Sequence, residues 1–236
     1  MQLTRIKQLN ATLVLKSGLH IGAGDTEMRI GGTDSPVIKN PLNDKPYIPG
    51  SSLKGKIRSL LEWRLGLVGV ANGQPFSFEH LRRHDTPAAR DLLRLFGGAP
   101  GGNVEDLVRA IGPTRIAFWD CALNADWLAS LEARHLLVTE AKSENRIDRI
   151  AGVAKDPRFI ERVIAGAEFD FRLSLKVIDD EELLPLLLRG LKLLEADSLG
   201  GSGSRGYGKL ALRDLTLDGR PIQADFDAID AFVAVA

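Results

Sequence analysis

An α+β fold is predicted by three features of the sequence. Apolar residues alternate with polar ones near both ends of the chain, helical apolar spacing recurs at two points between them, and Gly- and Pro-rich segments separate these stretches. The balance suits a packed domain: 236 residues, 44% apolar and 26% charged, lie inside the ordinary globular range. We therefore expect residues 1–236 to form a single domain carrying two insertions, at 66–112 and 141–163.

The elements follow in chain order. Residues 2–16 alternate through Leu9, Ala11, Leu13 and Leu15 and predict a half-buried strand. From 17 to 50, glycines and prolines break both regular structures, as in a long functional loop. Ser51 or Ser52 then supplies a helix N-cap, and Leu53, Ile57, Leu60 and Leu61 share a face, so a helix is predicted over 52–65. The 66–112 segment mixes turns with short helical patches, 88–95 among them. Residues 114–123 and 135–140 read as strands joined by a short connection containing Trp127, with Phe118 and Trp119 in the core. Residues 141–163 set Lys142, Arg146, Arg149, Lys155, Arg158 and Arg162 among acids and predict a protruding element. Residues 167–177 alternate again. A Leu-rich helix is predicted over 179–194, its leading Asp179, Asp180, Glu181 and Glu182 suiting the positive end of the helix dipole. A glycine loop at 200–208 and a strand over 209–217 close the pattern.

Strand, helix, strand, strand, helix, strand is the order of the split βαβ, or ferredoxin-like (RRM-like), βαββαβ core. Two helices then cover one face of an antiparallel sheet and leave the other open. RNA-recognition modules of this topology stack bases on aromatics of the open face. Here aromatics are 6% of the chain and scattered, so RNA contacts are expected from loops and insertions.

Composition narrows the function. Cys121 is the single cysteine, no secretory leader opens the sequence, and the most apolar run, 183–194, is too short for a bilayer and holds Arg189 and Lys192. A cytoplasmic protein with no membrane span is the expectation. Since 31 Lys and Arg balance 31 Asp and Glu, any nucleic-acid role rests on local clustering of cations.

The motifs each have two readings. Gly201-Ser-Gly203-Ser-Arg205-Gly206-Tyr-Gly208-Lys209 satisfies a bare G-x-G-x-x-G, but a dinucleotide site needs a strand before and a helix after, the reverse of this context. Leu210 stands where a P-loop needs Ser or Thr. What remains is a loop whose amides can approach a phosphate, with Arg205 and Lys209 beside them, or a plain helix-to-strand connector. At Pro49-Gly-Ser51-Ser52-Leu-Lys54-Gly-Lys56-Ile-Arg58, a helix start carries three cations, an anion site suited to a nucleic-acid backbone or else solvated surface. Asp34 is a turn-former or a catalytic or metal-binding carboxylate. His20 is a base or phosphate donor, or structural. His80 and His84 are four apart, yet no further ligand pair accompanies them, so zinc is not the default. There is no G-x-S-x-G elbow and Cys121 lies in an apolar strand, which removes nucleophilic hydrolases.

Four stretches, in order, bracket almost the whole chain: Ser17-Gly-Leu-His20-Ile-Gly-Ala-Gly24, Ile30-Gly-Gly-Thr-Asp34-Ser-Pro-Val37, Tyr47-Ile-Pro-Gly-Ser-Ser-Leu-Lys54-Gly-Lys56-Ile-Arg58 and Leu199-Gly-Gly-Ser-Gly-Ser-Arg205-Gly-Tyr-Gly-Lys209. Through them the chain resembles the RAMP-superfamily backbone subunits of type III-A CRISPR (Csm) effector complexes. The resemblance implies a subunit that polymerises head to tail along a CRISPR RNA, beside other Csm subunits including the large polymerase/cyclase-like subunit, and cuts paired target RNA at regular intervals. It implies that Asp34 is the catalytic aspartate; Asp34 is further expected to help bind a divalent metal, Mg2+ or Mn2+, whose other ligands would come from RNA, water or a second acid such as Glu140. It places His20, Lys54 and Arg58 near the guide backbone, with Ser51, Ser52 and Lys56 in the same motif, and makes Gly201, Gly203 and Arg205 part of a signature loop. Residues 141–163, with Lys142, Arg146 and Arg149, then resemble a thumb hairpin that wedges into the guide–target duplex and flips out a nucleotide, and 66–112 a lid. Some relatives carry Cys-rich metal ligands in the lid, where this chain has His80 and His84, so a structural zinc is not implied.

Physical reasoning is compatible with that role. Base pairing selects sequence while the protein grips the backbone, and heterologous contacts that do not close give filaments of neutral subunits. Three alternatives stay open: a metal-independent RAMP endonuclease maturing CRISPR RNA with His20 as base, a guide-binding scaffold without activity, and a nucleotide-binding enzyme using the glycine loop.

Overall fold

A computed structural model describes residues 1–24 and 35–233. In β1 (Leu3–Leu15) the predicted alternation sends Leu9, Leu13 and Leu15 into the core and leaves Gln8 and Asn10 exposed on the other face. After the short β2 (Tyr47–Ile48) comes α1 (Gly50–Arg64), which buries Leu53, Ile57 and Leu61. The 66–112 segment holds four helices, α2 (Leu67–Val70), α3 (Phe78–Leu81), α4 (Pro87–Phe96) and α5 (Glu105–Ile111). Then follow β3 (Ile116–Phe118), β4 (Cys121–Ala122) and α6 (Ala125–Ala133). A two-stranded hairpin, β5 (Thr139–Ile147) and β6 (Ala154–Val163), accounts for the charged segment. The chain returns through β7 (Glu168–Ile178), α7 (Leu184–Ala196) and a 3₁₀ turn at Gly203–Arg205. It ends in β8 (Leu210–Leu217), β9 (Arg220–Pro221) and α8 (Gln223–Asp227).

The main sheet is antiparallel with strand order β3-β7-β1-β8-β9. Leu13 faces Phe169 on one side and Leu212 on the other, so the apolar faces of three strands coincide. Helices α1 and α7 pack together, closely enough at Gly190 that a Cβ would lie 2.6 Å from Ile57 Cγ2 and 2.9 Å from Leu61 Cδ1. Their Ile57, Leu61, Leu187, Leu191 and Leu194 join Leu9, Leu13, Phe169, Phe171 and Leu173 in one core, each side chain contributing about 1.5–3 kcal/mol by burial. The opposite sheet face presents Asn10, Thr12, Asp170, Arg172 and Asp214 around a polar depression; Phe171 also lines it, but its side chain is buried in the core.

Several expectations change. Pro49, not Ser51 or Ser52, is the N-cap of α1; the ring offers no side-chain acceptor, and the Gly50 N–H donates instead to Asp120 Oδ1 at 2.7 Å. Residues 135–140 do not join the main sheet, because the strand beginning at Thr139 pairs with β6 in the hairpin; 114–123 breaks into β3 and β4 around Trp119, which is 57% exposed and not a core residue. The connection containing Trp127 is a helix, capped by Asn124, whose side-chain oxygen accepts the Trp127 N–H at 3.0 Å. Helix α7 starts at Leu184 with no acid in its first turn. Asp179 and Asp180 turn the chain with φ of 50° and 58°, and Asp179 accepts the Gln2 N–H at 2.7 Å, which holds its carboxyl below the ordinary range.

Candidate nucleic-acid interface

Three sequence motifs meet at the base of the hairpin. Leu19 and Val163 exchange backbone hydrogen bonds of 2.9 and 2.8 Å, Gly22 bridges to Val37, and Ser35 bridges to Ile160. Register fixes what lies on each hairpin face: Glu140, Lys142 and Glu144 share one with Arg162, whereas Thr139 and Ala141 share the other with Glu161 and Val163.

The Glu161 face rests on residues 35–39. Glu161 is 9% exposed, and its carboxylate accepts the Val37 N–H at 3.0 Å and the Lys39 ammonium at 2.9 Å. Burial works against that charge, but Lys39, the Val37 amide and the Thr139 hydroxyl hold the carboxyl below its ordinary range. The Glu161 N–H also donates to the Ser35 carbonyl at 3.1 Å. His20 completes the set, with Nδ1 2.7 Å from the Glu161 carbonyl and Nε2 3.3 Å from Ser35 Oγ. Both ring nitrogens are thereby engaged.

The other face rests on the glycine loop. Tyr207 is fully buried; Lys142 Nζ lies 4.5 Å and the Arg162 guanidinium 4.9 Å from its ring centre. Its hydroxyl donates to Glu144 Oε1 at 2.9 Å while Arg205 pairs with Glu144 Oε2. Burial opposes ionisation of Glu144, yet these two donors and the nearby Lys142 hold it below the ordinary carboxylate range. Burial and then Glu144 raise the Tyr207 phenol above its own. Arg162 pairs with Glu140 at 2.7 Å and lies across Gly18, where a Cβ would come within 2.5 Å of its side chain.

The loop amides are largely spent inside the chain. Gly201 N–H donates to the His20 carbonyl and Gly208 N–H to the Gly18 carbonyl, both at 2.9 Å, while Arg205 and Gly206 bond within the 3₁₀ turn that starts at Gly203. Gly200, at φ 75°, could not carry a side chain, because a Cβ would sit 2.3 Å from the His20 carbonyl oxygen. The loop is therefore a seat for His20 and the hairpin.

At α1, the predicted cations divide. Lys56 pairs with Asp197 at 2.6 Å, and Arg58 pairs with Glu62 at 2.8 Å and reaches the Phe76 carbonyl, so it ties α1 to the 66–112 segment. Among the described residues Lys54 has no such partner; burial first and the Arg58 charge second lower its ammonium pKa. Ser51 is exposed and Ser52 half-buried in the first turn. On the hairpin, Arg146 pairs with Asp156 at 2.8 Å, and Arg149 sits beside the fully exposed Ile150 at the tip.

Asp34 lies outside the described residues, one position before Ser35. Among the described residues no three His, Cys, Asp or Glu side chains converge as metal donors, and Glu140 is committed to Arg162. His80 Nδ1 is used locally, accepting the Ser77 N–H at 3.0 Å in a capping box. Burial pushes the Cys121 thiol up to about 12, the opposite of a reactive cysteine. Sequence reading missed Glu144, Glu161, Tyr207 and Asp120, the groups that hold this arrangement together; the adjacent RGYG and Trp-Asp-Cys contexts carried no local signal of their distant partners.

The sequence profile of the RAMP superfamily matches residues 12–211. A Streptococcus thermophilus protein named CRISPR system Cms endoribonuclease Csm3 is 44% identical over 221 residues, covering 91% of this chain and 90% of the relative. One of the same name from Methanothermobacter thermautotrophicus is 38% identical over 231 residues, covering 91% and 86%. Among solved structures, a chain of the Csm3-Csm4 subcomplex in the type III-A CRISPR-Cas interference complex is similar at TM-score 0.55 and 28% identity, over 92% of this chain and 80% of that one. A chain of the type III-B Cmr-beta complex bound to cognate target RNA shares the fold at TM-score 0.58 and 16% identity, over 90% and 61%.

Proposed function

Because this chain belongs to the RAMP superfamily, we propose that it is a multi-copy backbone subunit of a type III-A CRISPR interference complex, an endoribonuclease that binds CRISPR RNA and cuts the paired target RNA at regular intervals. The observation that carries this reading is the meeting of segments 17–24, 35–39 and 199–209 at the base of one protruding hairpin, in a chain 44% identical to a Csm3 endoribonuclease over 91% of its length.

The core reads as ferredoxin-like: the order β3-β7-β1-β8 with α1 and α7 packed together supports it. The helices α2 to α5 are the lid and the β5–β6 hairpin the thumb. Lys54, with Ser51 and Ser52 at the start of α1, grips the guide backbone by charge and hydrogen bonds that carry no sequence information. Lys56 reaches RNA by exchanging Asp197 for phosphate, Lys142 and Arg205 offer phosphate the N–H donors that their pairs with Glu144 leave free, Arg58 braces the helix that carries Lys54, and Arg146 and Arg149 meet the duplex along the hairpin. His20, Gly201 and Gly203 shape the seat beneath them.

In the reaction a ribose 2′-hydroxyl of the target gives up its proton as its oxygen attacks the adjacent phosphorus, the bond to the 5′-oxygen breaks, and that oxygen takes a proton, leaving a 2′,3′-cyclic phosphate and a 5′-hydroxyl. Asp34 is the catalytic carboxylate. A divalent ion, Mg2+ or Mn2+, would offset the charge developing on the phosphate. The described residues do not make a donor set for it, so Asp34, RNA and water would be its ligands. The partners are CRISPR RNA, target RNA, further copies of the chain in a head-to-tail filament, and other Csm subunits including the large polymerase/cyclase-like one. No helix among the described residues is long and apolar enough to cross a membrane, and we place the protein in the cytoplasm.

The test is cleavage of labelled target RNA by the complex assembled on a guide, with Mg2+ or chelator, for wild type and Asp34→Ala. An evenly spaced ladder that disappears in the variant while guide binding persists is the expected result. Tight guide binding with intact target in the wild type would leave a scaffold. Cutting of guide precursor alone without metal would favour the maturation enzyme, although the engagement of both His20 ring nitrogens argues against His20 as its base.

A further inference from the structure

We propose that Glu144 and Tyr207 are positioning residues for target cleavage: together they fix the angle at which the hairpin leaves the body, and so which phosphodiester is presented for cutting. The inference rests on the reading of the hairpin as the element that engages the guide–target duplex.

A two-stranded ribbon is marginally stable by itself and twists easily, so its direction is set by what it leans on. The ribbon is rooted at Leu19 and Val163. Glu144 lies five residues along β5 from Thr139, roughly 16 Å further out at the rise of an extended strand. Beyond it the charged side chains pair within the hairpin itself, Arg146 with Asp156 and Lys155 with Asp148. Among the described residues, Glu144 is thus the outermost tie between hairpin and body.

That tie has the features of a fixed joint. One carboxylate receives two donors from a single loop, the Tyr207 hydroxyl on Oε1 and the Arg205 guanidinium on Oε2, which sets orientation as well as distance. Tyr207 cannot swing, because its ring is fully buried beneath Lys142 and Arg162. The loop cannot shift under it, because Gly208 approaches Leu199 so closely that even a Cβ would lie 1.8 Å from the Leu199 carbonyl oxygen. Rigidity therefore runs from the sheet through the loop to a point well up the hairpin. Small errors in presenting a reacting group are costly, on the order of 100-fold for 1 Å.

The test uses the full complex assembled on a guide, carrying Tyr207→Phe or Glu144→Gln. The first keeps the ring and removes the hydroxyl bond; the second keeps the shape and removes the charge. Cut positions are mapped at nucleotide resolution under single turnover, at saturating and subsaturating target, and amide exchange of residues 146–156 is followed in parallel. Expected are guide and target affinity within about twofold of wild type, a saturated cleavage rate down about tenfold, cuts spread onto neighbouring phosphodiesters, and faster exchange in 146–156 but not in β1 or β7. Wild-type cut positions and saturated rate in both variants, whatever happens to exchange, would overturn the assignment, as would a defect confined to target affinity. A wild-type complex that leaves target intact overturns the nuclease reading and this inference together, whereas regular wild-type cutting with unmoved variants overturns the positioning alone.

Discussion

The Arg58 guanidinium donates to Glu62 Oε1 at 2.8 Å one turn along α1, and the same oxygen accepts the Phe76 N–H at 3.0 Å. With Arg58 also on the Phe76 carbonyl, this closed set pins α1 to the 66–112 segment, and a cation that reads as RNA-facing in the sequence becomes part of the frame.

Arg58→Ala leaves the Glu62 carboxylate, 6% exposed, without its cation and with only the Phe76 N–H, and is expected to cost about 3 kcal/mol in urea unfolding, the low end of the range for removing one partner of a buried pair. Lys54→Ala relieves repulsion with Arg58 and leaves stability within about 0.5 kcal/mol. Its effect falls on guide affinity, with the salt slope shallower by about one. A Lys54→Ala protein with unchanged affinity and slope would remove Lys54 from the interface.

Helix α1 borrows its cap from Asp120, seventy positions later. Asp120→Ala is expected to lower stability by about 1 kcal/mol, seen as a lower thermal midpoint, whereas Asp120→Asn keeps an acceptor for the Gly50 N–H and most of that stability.

Two glycines of one loop are expected to behave oppositely. At Gly208, φ is 69° and a Cβ would lie 1.8 Å from backbone oxygen, so Gly208→Ala should destabilise by about 4 kcal/mol or prevent folding. At Gly201 the nearest atom to a Cβ is His20 Cδ2 at 3.7 Å, and Gly201→Ala should stay within about 1 kcal/mol of wild type. Denaturant midpoints of the two variants decide the matter.

Acid should loosen the hairpin before the sheet. The Glu144 and Glu161 carboxyls are both held below their ordinary range, so their contribution is fully present above the unfolded glutamate pKa, about 4.3, and is lost as pH falls through the lower folded values. Amide exchange of 139–163, compared with that of β1 across this window, reports the order. Glu161→Gln should flatten the stability profile there; an unchanged profile would mean that Glu161 titrates alike in the folded and unfolded chain.

The sheet was legible because burial is one-sided. Leu9, Leu13 and Leu15 in β1, and Phe169, Phe171 and Leu173 in β7, repeat with the period of a strand, and a slip of one residue would expose them all. Helix α1 was legible by the same logic at helical spacing. The seating of the hairpin was not: Glu144 and Glu161 look like solvated acids among cations until Tyr207 and Val37 are known to lie beside them. Trp119 reads as core from its side chain alone, but its position at the break between β3 and β4 turns it outward. Helix α6 did carry a local signal, Asn124 ahead of Trp127, which the expectation of a short connection passed over.

The central strand of the sheet is also an early-made one. Leu13 waits for Phe169 on one edge and Leu212 on the other, so through most of synthesis β1 offers two open edges and a row of leucines with nothing to cover them. Pairings this distant in sequence make for slow folding, and a nascent chain in that condition is a natural client for chaperones. Production of this protein is therefore expected to be limited by the fate of β1 on the ribosome before β7 and β8 have been made.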